Sequence, residues 1–196
     1  LGSGEFAPSV TVPVGGANAI TAADLNGDGH PDLAIAAYPD LVDVLVNQGN
    51  GTFLPKIAYS TGMHPSAITA ADLNGDGKLD LVTANDMSGD ASVLLNQGDA
   101  TFAPHVDYAA GSQPTSVSAA DLNGDGKTDL AVASPPDQTV GILFNQGDGT
   151  FSPKVDVAPD GGPPSAIFAD VNGDGKLDLV AAIYDANMDN RVSVLF

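Results

Sequence analysis

The stretch Asp72-Leu73-Asn74-Gly75-Asp76-Gly77-Lys78-Leu79-Asp80 occurs four times in this chain. The other copies are Asp24-Leu25-Asn26-Gly27-Asp28-Gly29-His30-Pro31-Asp32, Asp121-Leu122-Asn123-Gly124-Asp125-Gly126-Lys127-Thr128-Asp129 and Asp170-Val171-Asn172-Gly173-Asp174-Gly175-Lys176-Leu177-Asp178. Their first residues stand at 24, 72, 121 and 170, a spacing of 48 or 49 residues. Each copy sets a side-chain oxygen at positions 1, 3, 5 and 9 and a Gly at position 6. Alternating side chains converge when the backbone curls, and Gly permits the curl. A set of hard oxygen donors suits calcium; magnesium keeps its waters and demands octahedral geometry. Transition metals favour His or Cys, and the chain has three His and no Cys. The expected cofactor is therefore Ca2+, one ion per copy. The expected ligands are the side chains at positions 1, 3, 5 and 9, with the backbone carbonyl of His30, Lys78, Lys127 or Lys176 at position 7.

Two neighbouring readings fail. The first six positions match an EF-hand loop, but the bidentate Glu of position 12 is replaced by Ile35, Thr83, Val132 and Ala181. The flanks, such as Leu81-Val82-Thr83-Ala84, are β-prone rather than helical. Single Asp-Asn-Gly clusters are ordinary turn formers, but four copies in register favour the ion.

The pattern Asp-x-Asn-Gly-Asp-Gly-x-x-Asp-Leu, followed downstream by Asn145-Gln146-Gly147-Asp148-Gly149-Thr150-Phe151, resembles the FG-GAP or VCBS repeat. That family is similar to the integrin α-chain propeller and to propeller lectins. The resemblance covers essentially the whole chain. It implies calcium-loaded blades of a β-propeller, with each ion in the turn between a blade's first and second strands, and it fixes no ligand.

Composition sets bounds on partners. The net charge is −19, and the four loops supply 12 of the 25 acidic residues. Without an ion, each loop crowds three carboxylates. Six Lys and Arg argue against nucleic acid. No run is long enough to span a membrane as a helix. The absence of Cys excludes disulfides. Low-affinity calcium modules work where calcium is abundant, so the expected setting is extracellular or periplasmic, in a bacterium. The opening Leu1-Gly2-Ser3-Gly4-Glu5-Phe6 is not signal-like, which suggests a mature domain or an excised piece.

A period of this length signals blades or a solenoid. Units running from one Gly-x-Phe to the next divide the chain near 4–51, 51–100, 100–149 and 149–196. Phe6, Phe53, Phe102 and Phe151 each lead through a Pro into a short edge strand, because Pro is tolerated only at sheet edges. These runs are Ser9 to Val14, Lys56 to Tyr59, His105 to Tyr108 and Lys154 to Val157. A small-residue strand enters each metal loop (Ala19 to Ala23, Ser66 to Ala71, Ser116 to Ala120, Ser165 to Ala169), as crowding at a propeller centre requires. Apolar strands follow (Leu33 to Ala37, Leu81 to Ala84, Leu130 to Ala133, Leu179 to Ile183), then Val42 to Val46, Ala91 to Leu95, Val140 to Phe144 and Val192 to Phe196. The expected fold is all-β: a β-propeller of four four-stranded blades, with residues 4–14 completing the last blade. It would close as a four-bladed ring or as half of an eight-bladed ring formed by a homodimer, or else be a fragment of a longer propeller; the sequence leaves the three open.

Function is expected in the variable loops at one end of the blades. Tyr38, Asp40, Asn85, Tyr184, Asn187 and Arg191 sit in or beside those loops, where an aromatic ring and hydrogen-bonding groups can hold a sugar. Solvated turns have the same composition. Arg191 could equally clamp an anion or pair with Asp185 or Asp189. His64 and His105 read as surface residues. No Gly-x-Ser-x-Gly or Ser-His-Asp set can be assembled. The reading is a secreted, lectin-like or adhesive binding module for glycans or extracellular proteins. A polysaccharide lyase or hydrolase, or a structural segment of a larger protein, is the alternative.

Overall fold

The computed structural model describes residues 11–184 and 190–196. Three antiparallel sheets of four strands and one of three follow one another along the chain. Blade 1 holds β1 (Gly16–Ala23), β2 (Asp32–Tyr38), β3 (Leu41–Leu45) and β4 (Ile57–Ser60). Blade 2 holds β5 (Pro65–Ala71), β6 (Asp80–Asn85), β7 (Asp90–Leu94) and β10 (Val106–Ala109), with a small hairpin β8 (Asn96–Gly98) and β9 (Thr101–Phe102) between its last two strands. Blade 3 holds β11 (Ser116–Ala120), β12 (Asp129–Ser134), β13 (Thr139–Leu143) and β14 (Val155–Val157). Blade 4 holds β15 (Gly162–Ala169), β16 (Asp178–Tyr184) and β17 (Arg191–Leu195). This propeller-type arrangement agrees with the sequence reading, and a solenoid does not describe it.

Each blade has the same internal logic. The second strand lies between two others and between two neighbouring blades, so every residue of β6 and β12 is buried. Alternate residues of one strand serve opposite joints, as the two-residue period of a strand requires. Val42 and Val44 face Leu81 and Leu94 of the next blade, and Val82 and Val93 face Leu130 and Leu143. The inner strands pack in succession, β1 on β5, β5 on β11 and β11 on β15. Observed strand ends differ from expectation by a few residues at most. The third strands run one residue earlier than expected, at Leu41–Leu45, Asp90–Leu94, Thr139–Leu143 and Arg191–Leu195.

The first and last blades do not cover each other. Ile20 on β1 is 62% exposed, whereas its repeat equivalents Val117 and Ala166 are buried between blades; on the last blade Ile167 of β15 is 58% exposed. Among the described residues the fourth sheet has three strands. The expected closing strand, residues 4–14, falls largely outside the described residues, and its described part, 11–14, is not in a strand.

Candidate metal loops, blade joints and loop clefts

The four nine-residue loops share one backbone conformation. The Gly at positions 4 and 6 take φ near +80° throughout, for example Gly75 at 75° and Gly77 at 81°. A Cβ there would meet no atom within 4 Å. The left-handed backbone, not crowding, therefore demands Gly.

Each loop divides into a tip and a base. At the tip, Asp24 accepts hydrogen bonds from the N–H groups of Gly27 and Asp28 on Oδ1 and of Gly29 on Oδ2. Asn26 Oδ1 accepts from the Asp28 N–H, and Asp28 Oδ1 accepts from the His30 N–H. Loops 3 and 4 repeat these ties, as with Asp121 to Gly126 and Asp125 to Lys127, and loop 2 repeats all but the bond from the position-5 N–H to the position-1 Asp. The tips are exposed to solvent. The Asp28 and Asp76 carboxyls lie below the usual range, Asp28 mainly through the Asn26 amide and Asp76 mainly through the Lys78 ammonium.

The position-9 Asp forms the base. Asp32, Asp80 and Asp129 are wholly buried and Asp178 nearly so. Their Oδ2 atoms accept from the N–H of position 2 of the same loop: Leu25, Leu73, Leu122 and Val171, at 2.9–3.1 Å. In blades 1, 2 and 3 the Oδ1 accepts from the N–H of Asn47, Asn96 or Asn145, at 2.7–2.8 Å. Burial raises the carboxyls of Asp80 and Asp129, and the nearby tip carboxylates Asp76, Asp72, Asp125 and Asp121 raise them further. Base and tip therefore feel each other's charge.

That Asn also joins neighbouring blades. Asn96 Nδ2 donates to Leu79 O in its own blade and to Leu25 O in blade 1, 71 residues away. Asn145 Nδ2 donates likewise to Thr128 O and to Leu73 O of blade 2. The aromatic ring that follows completes the joint: Phe102 meets Tyr59, and Phe151 meets Tyr108, both edge-on at 5.3 Å. The Asn…Phe segment is therefore a latch from each blade onto the one before it. Sequence reading used this segment as part of a resemblance and as a boundary between units, and missed its role as a joint.

The oxygen-only donors fit calcium chemically: two carboxylates and an amide at each exposed tip, a carbonyl at position 7 and a further carboxylate at the base. Among the described residues, no three Asp, Glu, His or Cys side chains converge as an ion site by themselves. The tip carboxylates are tied to backbone N–H groups, and Lys78 pairs with Asp76 at 3.0 Å. Ion binding here requires the Asn side chain and the carbonyl to join the carboxylates, and the Lys to withdraw. The His30 imidazole lies against Gly49, where an added Cβ would sit 2.6 Å from Nε2, consistent with its backbone rather than its ring being the expected donor.

At the opposite end of the blades, loops from adjacent blades border open clefts. One, of about 580 Å³, is lined by Tyr184, Arg191, Asp137, Gln138, Thr139 and Asp160 among others. Another, of about 680 Å³, lies between Asp86–Gly89 and Gly111–Gln113. The expected residues Tyr184 and Arg191 share the first cleft, where Arg191 donates to the Asp160 carbonyl at 2.7 Å. Tyr38 is exposed and meets His64 edge-on, and His64 is paired with Asp86 at 2.6 Å. His105 lies 3.5 Å from Asp107. Asp40 lies on the exposed turn after β2. Asn187, Asp185 and Asp189 lie outside the described residues. Asn85 corrects an expectation. It is not on the ligand surface but wholly buried, accepting from Thr83 Oγ1 and donating to Asp90 and Ser92. A buried amide needs such partners, and blade 2 alone supplies this set, since Ile35, Val132 and Ala181 replace Thr83 in the other blades.

The architecture and its repeated loops define an all-β repeat protein of propeller type. Sequence comparison matches the FG-GAP-like repeat over residues 24–83, 72–132 and 121–181, and the chain belongs to that family. No curated protein sequence matches it. Among solved structures it is similar to an Agrocybe aegerita lectin that recognises non-reducing terminal N-acetylglucosamine, with 24% identity and a TM-score of 0.58 over 88% of this chain and 50% of the lectin chain. It is similar also to BBS1N, solved in complex with ARL6DN, with 14% identity and a TM-score of 0.61 over 93% of this chain and 57% of that one. A third match is a Photorhabdus luminescens Tc holotoxin structure, with 22% identity and a TM-score of 0.52 over 89% of this chain and 9% of that one. The chain thus spans about half the length of the first two. No helix among the described residues is long and apolar enough to cross a membrane.

Proposed function

We propose that this chain is a non-enzymatic, calcium-stabilised binding module that works outside the cell and presents its inter-blade clefts to a glycan. The observation that carries this reading is the division of labour between the two ends of the blades. Oxygen-rich tips, four times repeated, crowd one end, and variable polar clefts open at the other. Calcium at the tips neutralises carboxylates that otherwise repel, and its binding energy adds to folding energy. At the cleft end, Tyr184 offers an exposed ring for a sugar face, with Arg191, Gln138 and Asp137 able to reach hydroxyls. The similar lectin fold makes terminal N-acetylglucosamine the first sugar to test.

The test is a glycan array probed with the calcium-loaded chain, followed by affinity measurements on Tyr184→Ala. The expected result is selective binding that the substitution weakens about tenfold, the size of one lost stacking contact. Absence of binding to any glycan would remove the carbohydrate part of the proposal. Calorimetric titration with calcium separately tests the metal part, which expects one ion per loop.

A further inference from the structure

We propose that the position-7 lysines are built-in counter-ions of the loop tips: they hold a tip together without calcium, compete with the ion, and so grade the first three loops into an order of filling, loop 1 first, loop 3 next and loop 2 last. The inference rests on the calcium reading above and adds the residue that ranks the sites. The argument starts from what meets the position-5 carboxylate. In loop 2 the Lys78 ammonium donates to Asp76 Oδ2 at 3.0 Å. In loop 3 the Lys127 ammonium lies 3.8 Å from Asp125 Oδ2. In loop 1 position 7 is His30, whose ring is in no ion pair among the described residues. There Asp28 Oδ2 accepts instead from the neutral Asn26 amide, at 2.9 Å. In all three loops the position-1 carboxylate accepts from the N–H of position 6, and the position-5 carboxylate from the N–H of position 7.

The fold places these side chains. After the third strand the chain turns through an Asn and, two residues on, a Gly whose N–H donates to that Asn's Oδ1: Gly49, Gly98 and Gly147 in blades 1, 2 and 3. The position-7 side chain lies on this Gly. A Cβ on Gly147 would come 3.0 Å from Lys127 Cε, and one on Gly98 would come 3.7 Å from Lys78 Cε. On Gly49 it would strike the His30 ring. A lysine commonly lays its methylene stem along such a surface while its ammonium stays in water. The turn thus brings the Lys78 and Lys127 heads beside their own tips.

An ion and an ammonium cannot share one tip, because two cations at that separation repel. The lysine must leave, and there is room for it. A cleft of about 330 Å³ opens beside Lys78, bordered by Gly98 and Asp99 of blade 2 and by Asp24 and Asn26 of loop 1. Loops 2 and 3 give up a resident pair when they take an ion, and loop 1 has none to give up. A site that binds only after another interaction opens shows a weaker apparent affinity. The shorter pair, that of loop 2, puts its site last.

The test is a calcium titration of the intact chain followed by NMR on the position-6 glycine amides. Gly29, Gly77 and Gly126 each donate to the first Asp of their own loop, so each reports on one site. In the wild type Gly29 should respond at the lowest calcium, then Gly126, then Gly77. Lys78→Met keeps the stem and removes the charge. It should move the Gly77 midpoint to about fivefold lower calcium, the size of one exposed ion pair, and leave Gly29 in place. Lys78→Arg, which keeps the charge, should leave Gly77 late. His30→Lys should move Gly29 to higher calcium by about the same factor. In chelator Lys78→Met should melt below the wild type, and in saturating calcium it should not. An equal loss in both solutions would make Lys78 a packing residue and overturn the proposal. So would a Gly77 midpoint that Lys78→Met leaves unmoved, or a wild-type Gly77 that responds no later than Gly29. Glycine amides that ignore calcium altogether would overturn the calcium reading itself, and this inference with it.

Discussion

The tip and the base of one nine-residue loop are built from the same residue type and do different work. Asp125 at the tip of loop 3 is exposed and bonded within its own turn. Asp129, four residues later, is wholly buried and ties the loop to its own strand and to the latch residue Asn145. A motif repeated four times in register looks like a single signal, and here it is two. One part, on the function proposed here, is the ion chemistry of exposed oxygens. The other is the satisfaction of buried N–H groups, which a folded chain needs whether or not an ion is present.

That contrast is breakable. The largest effect is expected for Asp129→Ala, which leaves the N–H groups of Leu122 and Asn145 buried without an acceptor and should cost about 3 kcal/mol. Asp125→Ala in the presence of chelator should cost about 0.5 kcal/mol or less, as an exposed substitution does. Urea unfolding of both variants decides it; equal losses would erase the distinction. Next in size, Asn145→Ala removes two amide bonds, one of them across a joint, and should cost about 2 kcal/mol, against about 1 kcal/mol for Asn47→Ala, whose amide among the described residues donates to Pro31 O of its own blade and not across a joint. Equal costs would mean that the latch contributes nothing between blades. A smaller effect, about 1 kcal/mol, is expected for Gly126→Ala, whose φ of 82° strains any side chain. A stability equal to the wild type in chelator would show that the tip relaxes freely without its ion.

How much of this was legible in the sequence follows from the range of each interaction. The blades were readable because the repeat spacing, the turn glycines and the alternation of apolar residues are local patterns. Ser116 to Ala120 was expected and found as β11 without change. The latch was not readable, because Asn145 and Leu73 O lie 72 residues apart and no local pattern links them. The base Asp was visible as a carboxylate, but a sequence does not show that both oxygens are occupied by buried N–H groups. Asn85 was misplaced for a related reason. Beside a loop, a polar residue suggests the surface, and only its pairing with Thr83 and Ser92 makes an interior place tolerable. Tyr184 and Arg191 were singled out from one variable loop, and the structure puts them in one cleft with residues of the preceding blade.

The division between tip and base is tested most directly by a thermal melt of the intact chain with excess calcium and again with excess chelator, the fold being followed by circular dichroism. The base bonds predict a chelated chain that still melts cooperatively as a β-protein. The tip oxygens predict a melting temperature that rises with calcium, by an amount equivalent to about 2.7 kcal/mol for each site held at a hundred times its dissociation constant. The same melting temperature in both solutions would contradict the role given to the tips. A chain that loses its fold in chelator would contradict the role given to the base.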